Sequence, residues 1–335
     1  MSQPMHPFAK YVAILGRGKT KQRHLTLDEA RDSMAMILRG EAEPEQIGAF
    51  LMLLRLKEES PAEIAGFTLG TRLVLETPDH IPEIDLDWSS YAGKRRQLPW
   101  FLLSAILLSQ NGVRVMMHGS GEHTPGRMYT HDVLEYLGYR VATSLEQAAA
   151  QISARNFGFI GLKDLCAPLQ ALMDLKPVLG LRSPVNSFSR MLNPFNAPVM
   201  MQGIFHRGFM DIHAGAGLLL GQPVTTVFRG EGGEIERRPN KPTVAGTAAN
   251  GKTVEETWPQ MLADGHAAAD LDMDLAALVS VWKGEARSEY AQSSVTGTLA
   301  IVLKSLGKAD TVEAAQNLAQ QMWDGRNKGL LPLTN

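Results

Sequence analysis

The residues best suited to chemistry in this sequence are cations that stand between two predicted secondary-structure elements. Lys94, Arg95 and Arg96 are consecutive, and they lie between a predicted strand at 84–89 and a helix expected to begin near Pro99. The N-terminus of a helix carries a partial positive charge from its unsatisfied N–H groups, so three cations beside it favour an anion. This spacing therefore predicts an anion-binding loop.

Two further segments are basic and contain no acid. Residues 1–27 hold one group of cations and residues 175–210 hold another, whereas acids cluster between 255 and 274. The net charge of −2 therefore conceals a polarised chain, and a polyanion is attracted by local basic patches rather than by net charge. The candidate phosphate-binding residues in the two segments are Arg17, Lys19, Lys21, Arg23, Arg182, Arg190 and Arg207.

Nucleophilic and metal-dependent chemistry have little support in the sequence. The single cysteine, Cys166, excludes a disulfide within the chain and a Cys-rich metal site. His123 and His131 lack metal-ligand spacing, and His118, at a predicted strand end, fits either a ligand contact or a structural hydrogen bond. We therefore predict no catalytic residue, no bound metal and no cofactor.

The overall composition is that of a globular protein. The 335 residues are 44% hydrophobic and 20% charged, which is enough to bury a full core without disulfides. The first residues lack the apolar run of a signal peptide, and the longest apolar run, 100–108, is too short to cross a bilayer. The expectation is a cytoplasmic protein without a membrane partner.

Hydrophobic periodicity predicts two domains, 1–77 and 78–335. The first contains four short amphipathic helices, and two of them begin at capping boxes, Thr26 with Glu29 and Ser60 with Glu63. The second alternates strands with helices, which predicts a parallel α/β sheet with ligands beyond the carboxyl ends of its strands. The predicted strands are 84–89, 113–118, 157–162, 199–205 and 224–228.

Helices are predicted at 99–111, 131–137 and 145–154, with a further set from 255 to the end. The Gly- and Pro-rich stretch 230–251 is expected to be a long excursion with little regular structure. A segment near 163–195 is expected to pack against the helical domain.

Two stretches resemble anthranilate phosphoribosyltransferases. One lies within 25–70, and the other is Leu-Gly-Leu-Arg at 179–182 followed by Asn-Pro at 193–194. The resemblance extends over roughly 8–330 and implies membership of glycosyltransferase family 3. It implies an α-helical bundle packed on a larger parallel-sheet α/β domain of the nucleoside phosphorylase and phosphoribosyltransferase type.

The chain departs from this family where the family binds phosphoribosyl pyrophosphate and magnesium. The Gly-Thr-Gly-Gly-Asp loop, whose backbone N–H groups approach the pyrophosphate, reads Ser-Tyr-Ala-Gly-Lys-Arg-Arg-Gln at 90–97 here. The magnesium-binding Asp-Glu pair falls on Gly233 and Glu234, and loss of one carboxylate weakens a magnesium site. The resemblance leaves a residual pocket made of Gly93, His118, Gly119, Arg182 and Glu234.

These departures resemble the non-catalytic YbiB-like branch of the family, whose members are implied to bind nucleic acid as homodimers without marked sequence preference. The expected function is therefore non-specific binding of DNA, in single-stranded form, through phosphate contacts at the basic loops. RNA is the other nucleic acid that such contacts would bind. The expected homodimer forms through the N-terminal helices.

Two alternatives remain open. One is an active phosphoribosyltransferase that uses phosphoribosyl pyrophosphate and magnesium on another acceptor. The other is a protein that docks a partner on an apolar face of the N-terminal helices.

Overall fold

The computed structural model describes residues 4–18, 20–121, 124–265, 270 and 272–333. It confirms the predicted fold class, a helical N-terminal domain joined to a larger α/β domain with a mostly parallel sheet. The N-terminal helices are α1 (Ala9–Gly16), α2 (Leu27–Leu38), α3 (Pro44–Lys57) and α4 (Pro61–Arg72).

Side-chain caps fix where these helices begin. The Thr26 hydroxyl accepts the Glu29 N–H at the start of α2, and the Glu29 carboxylate accepts the Thr26 N–H in return. Ser60 and Glu63 do the same at the start of α4. Each box satisfies two N–H groups that the helix itself leaves without acceptors. The two predicted capping boxes are therefore confirmed.

The α/β domain contains one seven-stranded sheet in the order β3-β2-β1-β4-β5-β6-β7. Strands β1 to β5 are parallel, and β6 and β7 are antiparallel to their neighbours. The strands are β1 (Leu86–Ser90), β2 (Val115–Gly119), β3 (Phe157–Gly161), β4 (Val199–Ile204), β5 (Val224–Arg229), β6 (Thr243–Ala249) and β7 (Lys252–Trp258).

The hairpin of β6 and β7 corrects the sequence analysis. The stretch expected to be irregular contains β6, and the expected helix near 255 is β7. Asn250 and Gly251 join the strands, and both have positive φ, 51° and 75°. An Asn-Gly turn of this kind matches the twist of an antiparallel pair. The Asn-Gly dipeptide is therefore a local hairpin signal within the stretch that was expected to be irregular.

The helices of this domain cover both faces of the sheet. Successive strand residues face opposite sides, and so Met116 and Met117 of β2 belong to separate apolar cores. The helices are α5 (Phe101–Gln110), α6 (Thr130–Tyr136), α7 (Leu145–Arg155), α8 (Leu162–Leu165), α9 (Ala167–Met173), α10 (Lys176–Leu179), α11 (Val185–Phe188), α12 (Phe209–Leu219), α13 (Ala276–Lys283), α14 (Glu289–Ser305) and α15 (Val312–Asp324).

The helical domain rests on the α/β domain mainly through α4. The Phe67 ring lies 5.4 Å from the ring of Phe188 in α11. The Arg72 Nε group donates to the Leu192 carbonyl at 2.7 Å. These contacts hold the segment after α10 against α4 and place the end of α3 near the carboxyl edge of the sheet. No helix in the described part of the chain is long and apolar enough to span a membrane.

Candidate functional site

The loop that follows β1 is closed by a carboxylate from a distant part of the chain. The Glu234 Oε1 atom accepts the backbone N–H groups of Ala92 and Gly93, both at 2.6 Å. These N–H groups belong to the loop that stands in the place of the family's pyrophosphate-binding loop. Since Glu234 is completely buried, its carboxylate takes the position that an anionic ligand would need.

The loop between β2 and α6 holds this loop from the other side. Arg127 Nη1 donates to the carbonyls of Ala92 and Gly93, at 2.8 and 3.1 Å. The backbones of Lys94 and Met128 exchange two hydrogen bonds, at 2.8 and 2.7 Å. A Cβ on Gly93 would lie 3.0 Å from the Tyr129 ring. The residual family pocket is therefore filled by the protein's own groups around Gly93.

The sequence predicts that Lys94 contacts phosphate, but the structure places its side chain in the interior. Its side chain is 1% exposed and forms an ion pair with the buried carboxylate of Glu236. Glu236 also accepts the Phe101 N–H at 3.0 Å, at the start of α5. Burial raises the pKa of Glu236 to about 6, although Lys94 opposes that rise. Lys94 thus joins the basic loop to a helix N-terminus instead of facing solvent.

Four of the other predicted cations are exposed. No ion pair joins them to an acid among the residues that the structure describes. They are Arg17, Lys21, Arg95 and Arg96. Lys19 lies outside the described residues, so its position stays a prediction.

Arg23 and Arg207 are exposed but neutralised. The Arg23 guanidinium binds both carboxylate oxygens of Glu29 at 2.6 and 2.7 Å. Arg207 Nη2 binds both oxygens of Glu255 at 2.8 and 2.7 Å. A phosphate would have to displace a carboxylate from either arginine. The structure therefore supports phosphate binding by these two residues less than the sequence alone does.

Arg182 and Arg190 differ from each other. Arg190 donates through Nη1 to the carbonyls of Gly203 and Gly233, at 2.9 and 3.0 Å, and burial lowers its pKa. It serves to hold two backbone segments together. Arg182 is exposed, and its Nη2 lies 3.3 Å from the Thr124 hydroxyl.

Two arginines that the sequence analysis did not select stand beside Arg182. Partial burial lowers the pKa of Arg182, and the positive charges of Arg127 and Arg55 lower it further. Arg55 lies in the last turn of α3, where a cation also offsets the helix dipole. Its position therefore carried no separate signal for ligand binding, and only the tertiary fold brings these three cations together.

His118 faces the interior and not the loop edge. Its Nδ1 lies 2.7 Å from the Tyr91 hydroxyl and its Nε2 lies 3.3 Å from Asp87 Oδ2. All three side chains are buried. Of the two interpretations left open for His118, the structure favours the hydrogen-bonded structural one. Gly119, the last residue of β2, has no room for a side chain, because a Cβ there would lie 2.0 Å from the Ser90 carbonyl oxygen.

A narrow cleft opens between the end of α3 and the carboxyl end of β4. Its volume is about 190 Å³, and its lining includes Arg55, Arg182, Phe205 and His213. His213 is 1% exposed, and burial together with the Arg190 charge lowers its pKa to about 3. His213 is therefore neutral in this cleft at physiological pH.

The site does not fit magnesium and phosphoribosyl pyrophosphate. Among the described residues, no group of three or more His, Cys, Asp or Glu side chains is placed to hold a metal ion. Gly233 has a φ of 93°, a backbone conformation that residues with a side chain rarely adopt. An aspartate at this position, as in the family's Asp-Glu pair, would therefore be strained. One Glu234 oxygen is committed to the loop, and the nearby Arg190 charge would repel a metal cation.

Comparison with known proteins identifies the family. The helical bundle domain of a glycosyl transferase family matches residues 11–72, and the α/β domain of the same family matches residues 101–327. The chain therefore belongs to this glycosyl transferase family.

Individual relatives agree with the resemblance in the sequence. YbiB of Escherichia coli (strain K12) is 30% identical over 190 residues, which cover 56% of this chain and 59% of YbiB. The matched region thus spans less than two thirds of that relative. The anthranilate phosphoribosyltransferase of Thiobacillus denitrificans is 31% identical over 241 residues, 71% of this chain and 69% of the enzyme.

A solved structure supports the fold. The anthranilate phosphoribosyltransferase of Thermus thermophilus superposes with a TM-score of 0.77 at 21% identity, covering 95% of this chain and 94% of that one. This chain therefore has the same fold as that enzyme.

The Lys94–Glu236 pair predicts a difference between neighbouring cations. Replacement of Lys94 by Met leaves a buried carboxylate without its partner and should lower the free energy of unfolding by about 3–5 kcal/mol. Replacement of exposed Arg95 or Arg96 by Ala should change it by about 0.5 kcal/mol or less. Urea unfolding of the three variants measures this. A Lys94→Met protein as stable as Arg95→Ala would show that the pair does not stabilise the loop.

His213 predicts a pH dependence of stability. Its pKa is about 3 in the folded protein and 6.5 ordinarily, so between these values the unfolded chain binds more protons. Stability is therefore unaffected by His213 above pH 6.5 and falls as the pH drops toward 3. At pH 5 the loss should be about 2 kcal/mol. His213→Gln should show a smaller drop in unfolding free energy from pH 7.5 to pH 5 than the natural protein. An equal drop in both would show that His213 does not contribute.

Proposed function

We propose that this protein binds nucleic acid through phosphates, on a scaffold that has lost phosphoribosyl transfer. The observation that carries the proposal is the pairing of Glu234 with the N–H groups of Ala92 and Gly93. It closes the inner site against a small phosphate ligand. The cations Arg95 and Arg96, a few residues along the same loop, remain exposed.

Contacts link these cations to others along the carboxyl edge of the sheet. Arg127 binds the loop carbonyls, and both Arg127 and Arg55 lie near enough to Arg182 to affect its pKa. We call Arg17, Lys21, Arg55, Arg95, Arg96 and Arg182 the basic edge. Gly16, next to Arg17, packs against Leu53 of α3, close to the end of α3. This arrangement suits a chain of phosphates longer than one pyrophosphate.

The basic edge favours binding without strong sequence preference. Its cations lie on loops and at helix ends, and phosphate contacts position a nucleic acid without reading its bases. A single strand, whose backbone can follow an irregular line of cations, suits it better than a rigid duplex. DNA is the proposed partner, and RNA offers the same phosphate chemistry.

A matched pair of double variants tests the basic edge. Arg95→Ala with Arg96→Ala removes two cations at the carboxyl edge. Arg140→Ala with Arg155→Ala removes two exposed cations near the amino ends of the strands. The first pair should lower the slope of log affinity against log salt by about 1.4 for a single-stranded oligonucleotide, since each phosphate contact contributes about 0.7. The second pair should leave the slope unchanged.

Fluorescence anisotropy at several salt concentrations measures these slopes. Equal slopes in both double variants and the natural protein would remove Arg95 and Arg96 from the interface. The rival function is tested in the same preparation with magnesium, phosphoribosyl pyrophosphate and anthranilate. Turnover of about 1 per second or more, without oligonucleotide binding, would replace the proposal by a phosphoribosyltransferase.

We also propose a homodimer formed through the N-terminal helices. Leu56 in α3 is 82% exposed and Val178 in the neighbouring α10 is 80% exposed. A two-fold axis would bury the same apolar residues of both copies. It would also bring two basic edges into one particle, which raises avidity for a long polymer.

Charge introduced into this apolar surface should separate the copies. Leu56→Asp with Val178→Asp should sediment as a single chain at micromolar concentration, where the natural protein sediments as two. Leu73→Asp is the control, because Leu73 is 58% exposed but follows α4. A natural protein that sediments as a single chain would contradict the dimer.

A further inference from the structure

Phe205 is an exposed aromatic ring at the carboxyl edge of the sheet. It directly follows β4, and 52% of its surface is accessible, whereas the other phenylalanines are buried or, in Phe209, half-buried. A phenylalanine gains free energy from burial, so a ring left in water at a strand end has no role in the core. Its neighbours suggest what it could contact.

Surrounding groups hold the Phe205 ring in place. The His206 ring packs edge-on at 4.8 Å with an interplanar angle of 83°. The Arg229 guanidinium, at the end of the adjacent β5, lies over the ring at 5.8 Å from its centre. A ring fixed in this way loses little conformational entropy when a ligand stacks on it.

Phe205 also lines the cleft that contains Arg55 and Arg182. At about 190 Å³ the cleft is smaller than the roughly 300–1,000 Å³ pockets that enclose whole drug-sized ligands. It therefore has room for one planar group rather than a complete metabolite. Glu59, which is 6% exposed, is the acid in its lining. A carboxyl group there can pair with polar atoms on the edge of such a planar group.

We propose that this cleft receives one unpaired nucleobase, which stacks on Phe205 while Arg182 and Arg55 hold the adjoining phosphate. The inference rests on the proposed function and adds a base-stacking site to its phosphate contacts. An aromatic ring beside cations is the combination that binds single strands, because every base has a stacking face and every nucleotide a phosphate. A base inside a duplex has no free face to offer, so the site selects unpaired nucleotides.

Three 12-residue probes separate base contacts from phosphate contacts. They are single-stranded oligothymidylate, the same backbone without bases, and a duplex. The natural protein should bind oligothymidylate about 5- to 150-fold more tightly than the base-free strand, the range expected for one stacked base. Phe205→Leu, which keeps an apolar side chain without a π face, should abolish this preference. Its salt slope should not change, because no phosphate contact is lost.

Two further variants control the experiment. Phe205→Tyr keeps the aromatic face and should keep the preference. Tyr136→Leu removes an aromatic side chain that is 47% exposed at the end of α6, away from the cleft, and should also keep it. Phe205→Trp gives a direct signal, since the five natural tryptophans are buried. Its emission should change with oligothymidylate and not with the base-free strand.

The outcomes distinguish the two proposals. Loss of the preference in Phe205→Leu alone supports the stacking site. Equal affinity of the natural protein for the two single strands, or a preference that survives Phe205→Leu, overturns the stacking site and leaves phosphate binding intact. A natural protein that binds none of the three probes overturns the proposed function, and the stacking site with it.

Discussion

A buried carboxylate must be supplied with hydrogen-bond donors, and the donors that Glu234 uses determine the rest of the site. Leaving an ionised carboxylate unpaired in the interior costs several kcal/mol, about the net stability of a small domain. Glu234 meets this requirement at one oxygen: its Oε1 accepts the N–H groups of Ala92 and Gly93, whereas its buried Oε2 has no hydrogen-bond partner among the described residues. In the family that this chain resembles, a glutamate binds magnesium and loop N–H groups bind pyrophosphate. Here one oxygen of the glutamate accepts both loop N–H groups, so these N–H groups are not available to a small phosphate ligand.

The same loop shows how burial assigns different roles to consecutive cations. Lys94 is held by Glu236, so it contributes to stability and not to the surface charge. Arg95 and Arg96 remain in water. A buried ion pair gains from a low dielectric but loses hydration, whereas an exposed arginine keeps its hydration and its freedom to bind a passing phosphate. Closing the inner site and exposing the outer charge are therefore two results of one folded loop.

The sequence predicts most of the fold because its signals are local. Capping boxes, helical periodicity and β-rich runs each lie within a few residues, and the parallel strands occur where they were expected. The Asn250-Gly251 hairpin was missed although its signal was also local. The site is different. Lys94 and Glu236 are separated by 142 residues in the sequence. No sequence pattern near Lys94 indicates that Glu236 is its partner. Arg55 likewise joins Arg182 only through tertiary packing. Charge runs alone therefore selected cations that the fold leaves exposed together with cations that it pairs or buries.

Sheet topology explains why the relevant groups meet at all. The carboxyl ends of parallel strands share one edge, and the basic loop after β1, Phe205 after β4 and Arg229 at the end of β5 all lie there. The scaffold thus fixes where a ligand binds, and loop chemistry fixes which ligand. A loop of small residues with free N–H groups makes an enclosed phosphate pocket. A loop closed by Glu234, with arginines outside it and an exposed aromatic ring after the neighbouring strand, instead offers contacts that are spread along the edge. The nucleic acid that we propose as the ligand would match such contacts, since it repeats a phosphate and a stacking face at every residue.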